Sequence, residues 1–284
     1  MLWRHKLGSL SFEKPRILGI VNVTPDSFSD GARLATVDDA RRHIDRLLAE
    51  GADVIDVGGE STRPQGARPV GADTELRRVI PVVEAAVADH PGVLLSVDTV
   101  KAAVAREALA AGAAIVNDVS GFRLDHGMAA ACAESGAGVV LMHSRGDVAD
   151  MATFAHATYG ADSTGEIVSE LRHAMDGAVA AGVETDRIVL DPGIGFSKRS
   201  EHSLAVLREL PRLVALGRPV LVGVSRKRFI GELSGVSVPA ERVAGTVGAN
   251  VVALERGARL FRVHDVRPTR EALDVAWAIR GQAS

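Results

Sequence analysis

Apolar runs rich in valine, isoleucine and leucine recur along the whole chain. The runs are uninterrupted rather than alternating with polar residues, which is typical of strands buried on both faces of a parallel sheet. In chain order they read RILGIVNV, DVIDVG, VLLSVD, AIVND, GVVLMH, RIVLD, PVLVGVS and RLFRVH. Each run therefore predicts one buried strand.

Segments with the spacing of amphipathic helices lie between these runs. In residues 37–48 most apolar positions fall three or four apart, Thr36 suits the N-cap, and Gly51 suits the end of a helix. The same pattern predicts further helices at 100–111, 126–135, 165–181, 201–216, 239–256 and 268–280.

The alternation of strands and helices predicts the fold class. About eight strand–helix units are present, and eight is the number at which a parallel sheet closes into a barrel. We therefore expect an α/β protein with a single (β/α)8 TIM barrel, forming one domain over 1–284, with residues 1–15 packing on it as an N-terminal extension. An open doubly wound sheet is the alternative, but the G-x-G-x-x-G sequence of such sheets does not follow the first strand.

Two segments depart from the regular pattern. Pro81 interrupts the periodicity of residues 72–90, and it predicts a kink or a helix start because proline costs about 3 kcal/mol inside a helix. Residues 144–162 have no clear periodicity, and a connection of that length is typical of a lid or a mobile excursion.

Composition narrows the function classes. The chain of 284 residues is 46% hydrophobic and 24% charged with a net charge of −3, which is typical of a soluble globular protein. Its pI of about 6.3 and aromatic content of 4% argue against a nucleic-acid surface, so small molecules are the expected partners. Cys132 is the single cysteine, and we expect a buried thiol on a helix. No secretory signal or membrane span is visible, so we expect a cytoplasmic protein.

Nearly every apolar run ends in a polar or charged residue. These residues are Asn22, Glu60, Asp98, Asn117, His143, Asp191, Ser225 and His264. Any one of them could be the N-cap of the following helix, but that explanation does not easily cover all eight. Strand ends converge at the C-terminal rim of a barrel, where active sites of this architecture lie. For His143 a structural hydrogen bond is favoured over a metal-ligand role.

Seven motifs in register carry a resemblance to a known family. GIVNVTPDSFSDG, DVGGESTRP, SVDT, NDVSG, DPGIGFSK, VGVSRK and RVHDV, between about residues 17 and 268, resemble the motifs of the bacterial dihydropteroate synthases. The resemblance implies a transferase of folate biosynthesis with a pterin-binding TIM barrel. It would join 6-hydroxymethyl-7,8-dihydropterin pyrophosphate to p-aminobenzoate, giving 7,8-dihydropteroate and pyrophosphate.

A pterin edge presents N–H donors and a carbonyl, so its pocket needs a carboxylate, an amide and a cation. Asp191, Asn117 and Lys227 supply these groups. The resemblance implies that Asp98 and Asp191 accept from the pterin, that Lys227 donates to the carbonyl side, and that Arg262 lies over the ring face. A solvated helix start and a surface pair are the alternatives for Lys227 and Arg262.

The pyrophosphate leaving group needs cations, N–H donors or a metal ion. Arg63, Arg262 and His264 could supply the positive charge, and the resemblance implies that Asn22 contributes its side-chain oxygen to a magnesium ion that bridges the phosphates. Asn22 capping the following turn is the alternative. The family mechanism is taken to be dissociative, with Asp98 stabilising a pterin cation, and the resemblance names Asp98, Lys227 and Arg63 as catalytic.

The resemblance also implies a p-aminobenzoate site and a homodimer. Residues from two loops, an apolar wall and a cation beside the predicted helix start at Lys227 would form the site: Phe28, Ser61, Thr62, Pro64, Phe196 and Arg228. The dimer would form through the outer helices of the later βα units. Two other functions stay open, a methyltetrahydrofolate-dependent methyltransferase-like barrel and a catalytically silent pterin-binding paralogue.

Overall fold

Ten strands build the sheets of the computed structural model, which describes residues 1–24, 36–61 and 69–281. In chain order they are β1 (Leu2–His5), β2 (Gly8–Ser11), β3 (Arg16–Asn22), β4 (Val54–Gly58), β5 (Leu95–Asp98), β6 (Ile115–Asp118), β7 (Gly138–Met142), β8 (Ile188–Asp191), β9 (Leu221–Val222) and β10 (Leu260–Val263). Strands β3 to β10 form one parallel sheet in the order β8-β7-β6-β5-β4-β3-β10-β9, and a bridge between Leu190 and Val220 joins its two edges. The chain is therefore a (β/α)8 TIM barrel, as the sequence predicts.

Helices follow each barrel strand. They are α1 (Val37–Ala49), α2 (Ala72–Asp89), α3 (Ala102–Ala111), α4 (Met128–Ser135), α5 (Ser163–Ala180), α6 (Ser200–Arg208), α7 (Leu210–Val214), α8 (Arg228–Ser234), α9 (Val243–Glu255) and α10 (Val266–Arg280). Thr36 caps α1 as predicted, because its hydroxyl accepts from the Asp39 N–H while Asp39 accepts from the Thr36 N–H. Cys132 is fully buried on α4, as predicted, and burial raises the pKa of its thiol.

The alternative that a helix starts at Pro81 is wrong. Helix α2 begins at Ala72 and continues through Pro81 to Asp89. Val79, Val82 and Val83 are fully buried on both sides of the proline. Burying a valine side chain is worth at least about 1.5 kcal/mol, so together these contacts outweigh the cost of the proline.

A hairpin of β1 and β2 covers the N-terminal end of the barrel. Trp3 and Phe12 are buried, stack with their ring centroids 6.4 Å apart, and join a cluster of inward residues from the barrel strands. The indole N–H of Trp3 donates to the carbonyl of Arg187 (2.7 Å), one residue before β8. The opposite, C-terminal rim is therefore the end at which a ligand site can form.

Residues 144–162 pack against that rim. Met151 is fully buried and Val148 nearly so, and both belong to an apolar cluster with Val100, Val119 and Met142. Phe196 packs on the same cluster. The long connection therefore forms part of the wall around the C-terminal end of the barrel. In the described part of the chain, no helix has the length and apolar character needed to cross a membrane.

Candidate active site

Strand pairing brings the predicted polar residues onto one rim. Asp98, at the end of β5, pairs with Asn117 of β6 on one side and with Gly58 of β4 on the other. Gly58 in turn pairs with Asn22 at the end of β3. Asp191 ends β8. Residues that are far apart in sequence therefore line neighbouring strands at the same end of the barrel.

A buried carboxylate connects three of the predicted pterin residues. Asp56 lies within β4 with none of its surface exposed. Its Oδ2 accepts from Arg262 Nε (2.7 Å) and from Asn117 Nδ2 (3.1 Å). Arg262 Nη2 donates to Asp98 Oδ2 (2.7 Å), so one guanidinium bridges two carboxylates. Burial alone would lower the pKa of Arg262, but the carboxylates of Asp56 and Asp98 outweigh it and hold the pKa above its ordinary value.

The two carboxylates predicted to bind the pterin have raised pKa values. Burial raises the pKa of Asp98 to about 7, with Asp56 adding to the shift and Arg262 opposing it. Burial raises the pKa of Asp191 to about 6, while the Gly193 N–H that donates to its Oδ1 (2.7 Å) and the Lys227 ammonium oppose the shift. A ligand that brings N–H donors would stabilise the charged form of either group.

Lys227, at the N-cap of α8, lies close to the same charged residues. Its Nζ lies 4.1 Å from the centroid of the Phe196 ring, within the range of a cation–π contact. Burial and the nearby Arg262 lower the pKa of Lys227 to about 8, whereas the Asp191 and Asp98 carboxylates raise it. Lys227 therefore interacts with the predicted pterin carboxylates Asp98 and Asp191 and also contacts the predicted aromatic wall, Phe196.

A glycine lies between Asp191 and Arg262. A Cβ at Gly223 would lie 3.9 Å from Asp191 Oδ2 and 3.9 Å from Arg262 Cβ. A larger side chain at Gly223 would therefore project toward both of these groups. The structure thus brings Asp98, Asn117, Asp191, Lys227 and Arg262, with Asp56, into one cluster at the C-terminal rim, which forms the floor of the candidate site.

The ends of β9 and β10 are tied together beside this floor. Ser225 Oγ lies 3.0 Å from His264 Nδ1 and accepts from the His264 backbone N–H (3.2 Å). Arg226 donates to both oxygens of Asp265, at 2.9 and 2.7 Å. His264 lies directly after the end of β10, two residues beyond Arg262. Both residues therefore belong to the same rim of the barrel.

Other predicted residues lie at the edge of the cavity or outside the described part of the chain. Asn22 and Ser61 are half-buried at the rim. Arg228 is exposed, and its guanidinium lies 3.9 Å from the centroid of the Phe154 ring. The predictions for Phe28, Thr62, Arg63 and Pro64 fall on segments 25–35 and 62–68, which lie outside the described residues.

Two buried groups were missed in the sequence analysis. Asp56 lies inside the apolar run VIDVG, and an isolated charge in a buried strand signals a hidden partner because a lone buried charge is costly. Lys198 is buried next to His143. The prediction of a structural hydrogen bond for His143 is confirmed, since its Nε2 lies 3.0 Å from Glu170 Oε2 and its Nδ1 lies 2.7 Å from Lys198 Nζ.

Comparison with known proteins agrees with this geometry. The model of the family described as pterin binding enzyme matches residues 18–264. The chain is 44% identical to the dihydropteroate synthase of Mycobacterium leprae over 283 residues, with 96% of each chain covered. It is similar to the Xanthomonas albilineans dihydropteroate synthase solved with 4-aminobenzoic acid, at 47% identity and a TM-score of 0.90 with 99% of both chains covered. A second structure of that protein, in complex with 7,8-dihydropteroate, gives 45% identity and a TM-score of 0.85 over 96% of both chains.

Proposed function

Because the chain belongs to the pterin-binding enzymes and, within them, to the dihydropteroate synthases, we propose how its rim residues carry out that reaction. The protein is a transferase that condenses 6-hydroxymethyl-7,8-dihydropterin pyrophosphate with p-aminobenzoate to give 7,8-dihydropteroate and pyrophosphate. The observation that carries the site assignment is the Arg262 guanidinium bridging the buried carboxylates of Asp56 and Asp98. The guanidinium connects Asp56, inside β4, to Asp98, at the rim where the reaction would occur.

Hydrogen-bond chemistry supports a pterin on this floor. Asp98 and Asp191 offer carboxylate acceptors to the ring N–H groups, and Asn117 offers an amide that can both donate and accept. The Lys227 ammonium would donate to the ring carbonyl. Arg262 is held by two carboxylates at 2.7 Å, so its planar group is fixed in place, and its face would stack on a flat ring.

The charges around the site support a dissociative displacement. The C–O bond to pyrophosphate breaks first, the bonding electrons leave with the pyrophosphate, and the positive charge spreads from the methylene carbon into the dihydropterin ring. An ionised Asp98 stabilises that charge. The neutral amine nitrogen of p-aminobenzoate then forms the new C–N bond and releases a proton, so no strong base is needed. Arg262 and His264, with Arg63 by resemblance, would stabilise the charge on the leaving group.

The protein residues at the rim could hold a magnesium ion only if the substrate phosphates supplied further ligands. Among the described residues, no group of three or more His, Cys, Asp and Glu side chains could hold a metal ion. The amide oxygen of Asn22, at the end of β3, is a hard donor of the kind magnesium prefers when phosphates and water fill the other positions. Bound there, magnesium would neutralise part of the charge on the pyrophosphate.

The acceptor would bind at the outer edge of the cavity. Phe196 is half-buried beside Lys227 and presents an apolar wall to an aromatic ring. Ser61 and Arg228 lie at the rim as polar and cationic groups. Phe28, Thr62 and Pro64 are proposed as further contacts of p-aminobenzoate from the resemblance alone.

The assay that tests the function measures released pyrophosphate with purified protein, both substrates and magnesium. We expect release that depends on both substrates and is matched by dihydropteroate. Pterin binding without any dihydropteroate formation would instead identify a silent paralogue. The methyltransferase-like alternative is not favoured, since relatives that match nearly the whole chain are dihydropteroate synthases.

We also propose that two copies pair through α9 and α10. A groove of about 890 Å³ lies between these helices and is lined largely by apolar side chains, including Val247, Val251 and Val275. Val275 is 60% exposed and Ile279 is 80% exposed, which is unusual for neighbouring apolar residues unless a partner covers them. The helices belong to the last βα units, where the resemblance places a homodimer.

We also propose that the protein is cytoplasmic.

Light scattering coupled to size exclusion tests the pairing. We expect a dimer for the wild-type chain and a monomer for Val275→Glu. Val179→Glu is the matched control, because Val179 is an exposed valine on α5, away from the groove. A wild-type monomer, or an undisturbed Val275→Glu dimer, would contradict this interface.

A further inference from the structure

A fully buried lysine lies behind the proposed acceptor site and takes no part in the reaction described above. Lys198 is 1% exposed. Its Nζ donates to the carbonyl oxygens of Phe196 (3.0 Å) and Gly193 (3.2 Å), and it lies 3.4 Å from that of His143. It also lies 2.7 Å from His143 Nδ1. The amine therefore joins the end of β7 to the turn that follows β8.

The protonation of His143 suits this arrangement. Burial and the neighbouring Lys198 lower the pKa of His143 to about 4, so the ring is neutral at pH 7. Its Nε2 faces the Glu170 carboxylate at 3.0 Å and so carries the proton, which leaves Nδ1 as an acceptor for Lys198. Every group within reach of the lysine Nζ is thus an acceptor, and the amine holds them in one arrangement.

The turn that Lys198 holds has an unusual backbone. Gly193, Gly195 and Ser197 have φ of +66°, +80° and +48°. Two are glycines, but Ser197 occupies a left-handed region that is costly for a residue with a side chain. A Cβ at Gly193 would collide with the His143 carbonyl oxygen. The turn therefore needs fixed contacts to keep its shape.

The connection 144–162 supplies contacts from the other side. Ser197 N donates to the Met151 carbonyl (2.6 Å), and Ser197 Oγ donates to the Arg145 carbonyl (2.7 Å). Tyr159 Oη donates to the Ser197 carbonyl (2.9 Å). The turn is held between Lys198 and this long connection, which gives the connection a structural task at the active site.

The turn carries Phe196. Its carbonyl accepts from Lys198, and its ring packs on the rim cluster and lies 4.1 Å from Lys227 Nζ. The backbone of Asp191, in contrast, is fixed by β8, where it pairs with Met142 of β7, and only its Oδ1 contacts the turn, by accepting from the Gly193 N–H. Loosening the turn should therefore displace Phe196 more than Asp191.

We propose that Lys198 and Tyr159 are positioning residues that fix Phe196 as a wall of the p-aminobenzoate site. The inference deepens the proposed function and rests on its assignment of Phe196. Neither residue touches substrate. Both act through the backbone of the turn.

A double-mutant cycle tests the inference. Lys198→Met should raise KM for p-aminobenzoate about tenfold, which corresponds to the loss of one buried hydrogen bond. The Kd of the pterin pyrophosphate should rise by a smaller factor than this KM, because the turn contacts the pterin residues only through the Gly193 N–H on Asp191. Phe196→Ala should raise the same KM, and the double variant should be no worse than Phe196→Ala, because both changes remove the same wall. Lys6→Met is the matched control, since Lys6 Nζ donates to the Leu109 carbonyl away from the rim.

The outcomes separate this inference from the proposed function. Normal KM in Phe196→Ala would show that the acceptor assignment is wrong. Raised KM in Phe196→Ala with unchanged KM in Lys198→Met, or equal losses for both substrates in Lys198→Met, would overturn the positioning role alone. If Lys198→Met does not fold, Tyr159→Phe decides. It removes one hydrogen bond and should raise KM for p-aminobenzoate about threefold, whereas an unchanged KM would overturn the proposal.

Discussion

Replacing Asp56 with asparagine tests whether the buried carboxylate organises the pterin floor. The substituted amide keeps an oxygen that can accept from Arg262 Nε and Asn117 Nδ2, but it loses the charge that strengthens the Arg262 bond. The other oxygen of Asp56 is buried and has no hydrogen-bond partner among the described residues. An NH2 group at that position would therefore be left without an acceptor.

These two losses set the expected size of the effect. Weakening a charge-assisted hydrogen bond costs about 1 kcal/mol, and burying an unsatisfied donor costs about 1 to 3 kcal/mol. We expect Asp56→Asn to lower the free energy of unfolding by about 2 to 4 kcal/mol. Since Arg262 and Asn117 both lose alignment, the Kd for the pterin pyrophosphate should rise at least about tenfold.

The pH dependence of binding gives a second readout. The charge on Asp56 helps to raise the pKa of Asp98, so its removal should lower that pKa. The loss of pterin affinity on acidification should then occur at lower pH in Asp56→Asn than in the wild-type protein. Titration calorimetry across pH measures both Kd and the pH at which affinity is lost.

Asp53→Asn is the matched control for general loss of stability. Asp53 precedes the same strand at its opposite end, where it accepts from Arg16 Nη1 and from the Ile17 N–H, each at 2.8 Å. This variant should unfold more easily yet bind the pterin normally. The reasoning is refuted if folded Asp56→Asn binds the pterin as tightly as the wild-type protein, or if Asp53→Asn weakens binding to the same extent.

Two further predictions concern the metal ion and the protons. Asn22→Ala should weaken the magnesium dependence of pyrophosphate binding, because it removes a hard oxygen donor at the rim, and an unchanged metal titration would return Asn22 to the turn-capping interpretation. Pterin binding should release protons at pH 6, because the ring N–H donors favour the ionised forms of Asp98 and Asp191. Far fewer protons should be released at pH 8, since the pKa values of about 7 and 6 leave both carboxylates mostly ionised at that pH. Calorimetry in two buffers of different protonation enthalpy measures this release, and equal release at both pH values would contradict the carboxylate assignment.

The barrel could be predicted because each of its strands has a clear local sequence pattern. Uninterrupted apolar runs, glycine-terminated helices and polar strand ends recur with the period of a βα unit, and such a pattern fits few architectures. The helix start predicted at Pro81 was wrong because the cost of a proline is local, whereas the burial of Val79, Val82 and Val83 that outweighs it depends on the folded core.

The candidate site was predictable at its rim but less so beneath it. Asp98, Asn117 and Asp191 end strands, where a polar residue stands out against the apolar run. Asp56 and Lys198 act through partners that are distant in sequence, Arg262 for one and His143 for the other. An isolated charge in a buried strand signals that a partner exists, but no sequence spacing shows which residue that partner is. The role of residues 144–162 was equally hidden, because it consists of hydrogen bonds from the turn at Ser197 to the backbone carbonyls of Arg145 and Met151 and from the Tyr159 hydroxyl to the turn.

The central claim is that residues from separate strands form one site that displaces pyrophosphate from a bound pterin. Lys227 tests it most directly, because it sits between the Asp191 side and Phe196 and is not part of the barrel strands. A single-turnover experiment can follow dihydropteroate and pyrophosphate together in the wild-type protein, in Lys227→Ala and in the control Lys14→Ala, which changes an exposed lysine outside the rim. We predict equal amounts of both products from the wild type and Lys14→Ala, and almost none from a folded Lys227→Ala. Full turnover by Lys227→Ala would contradict the account.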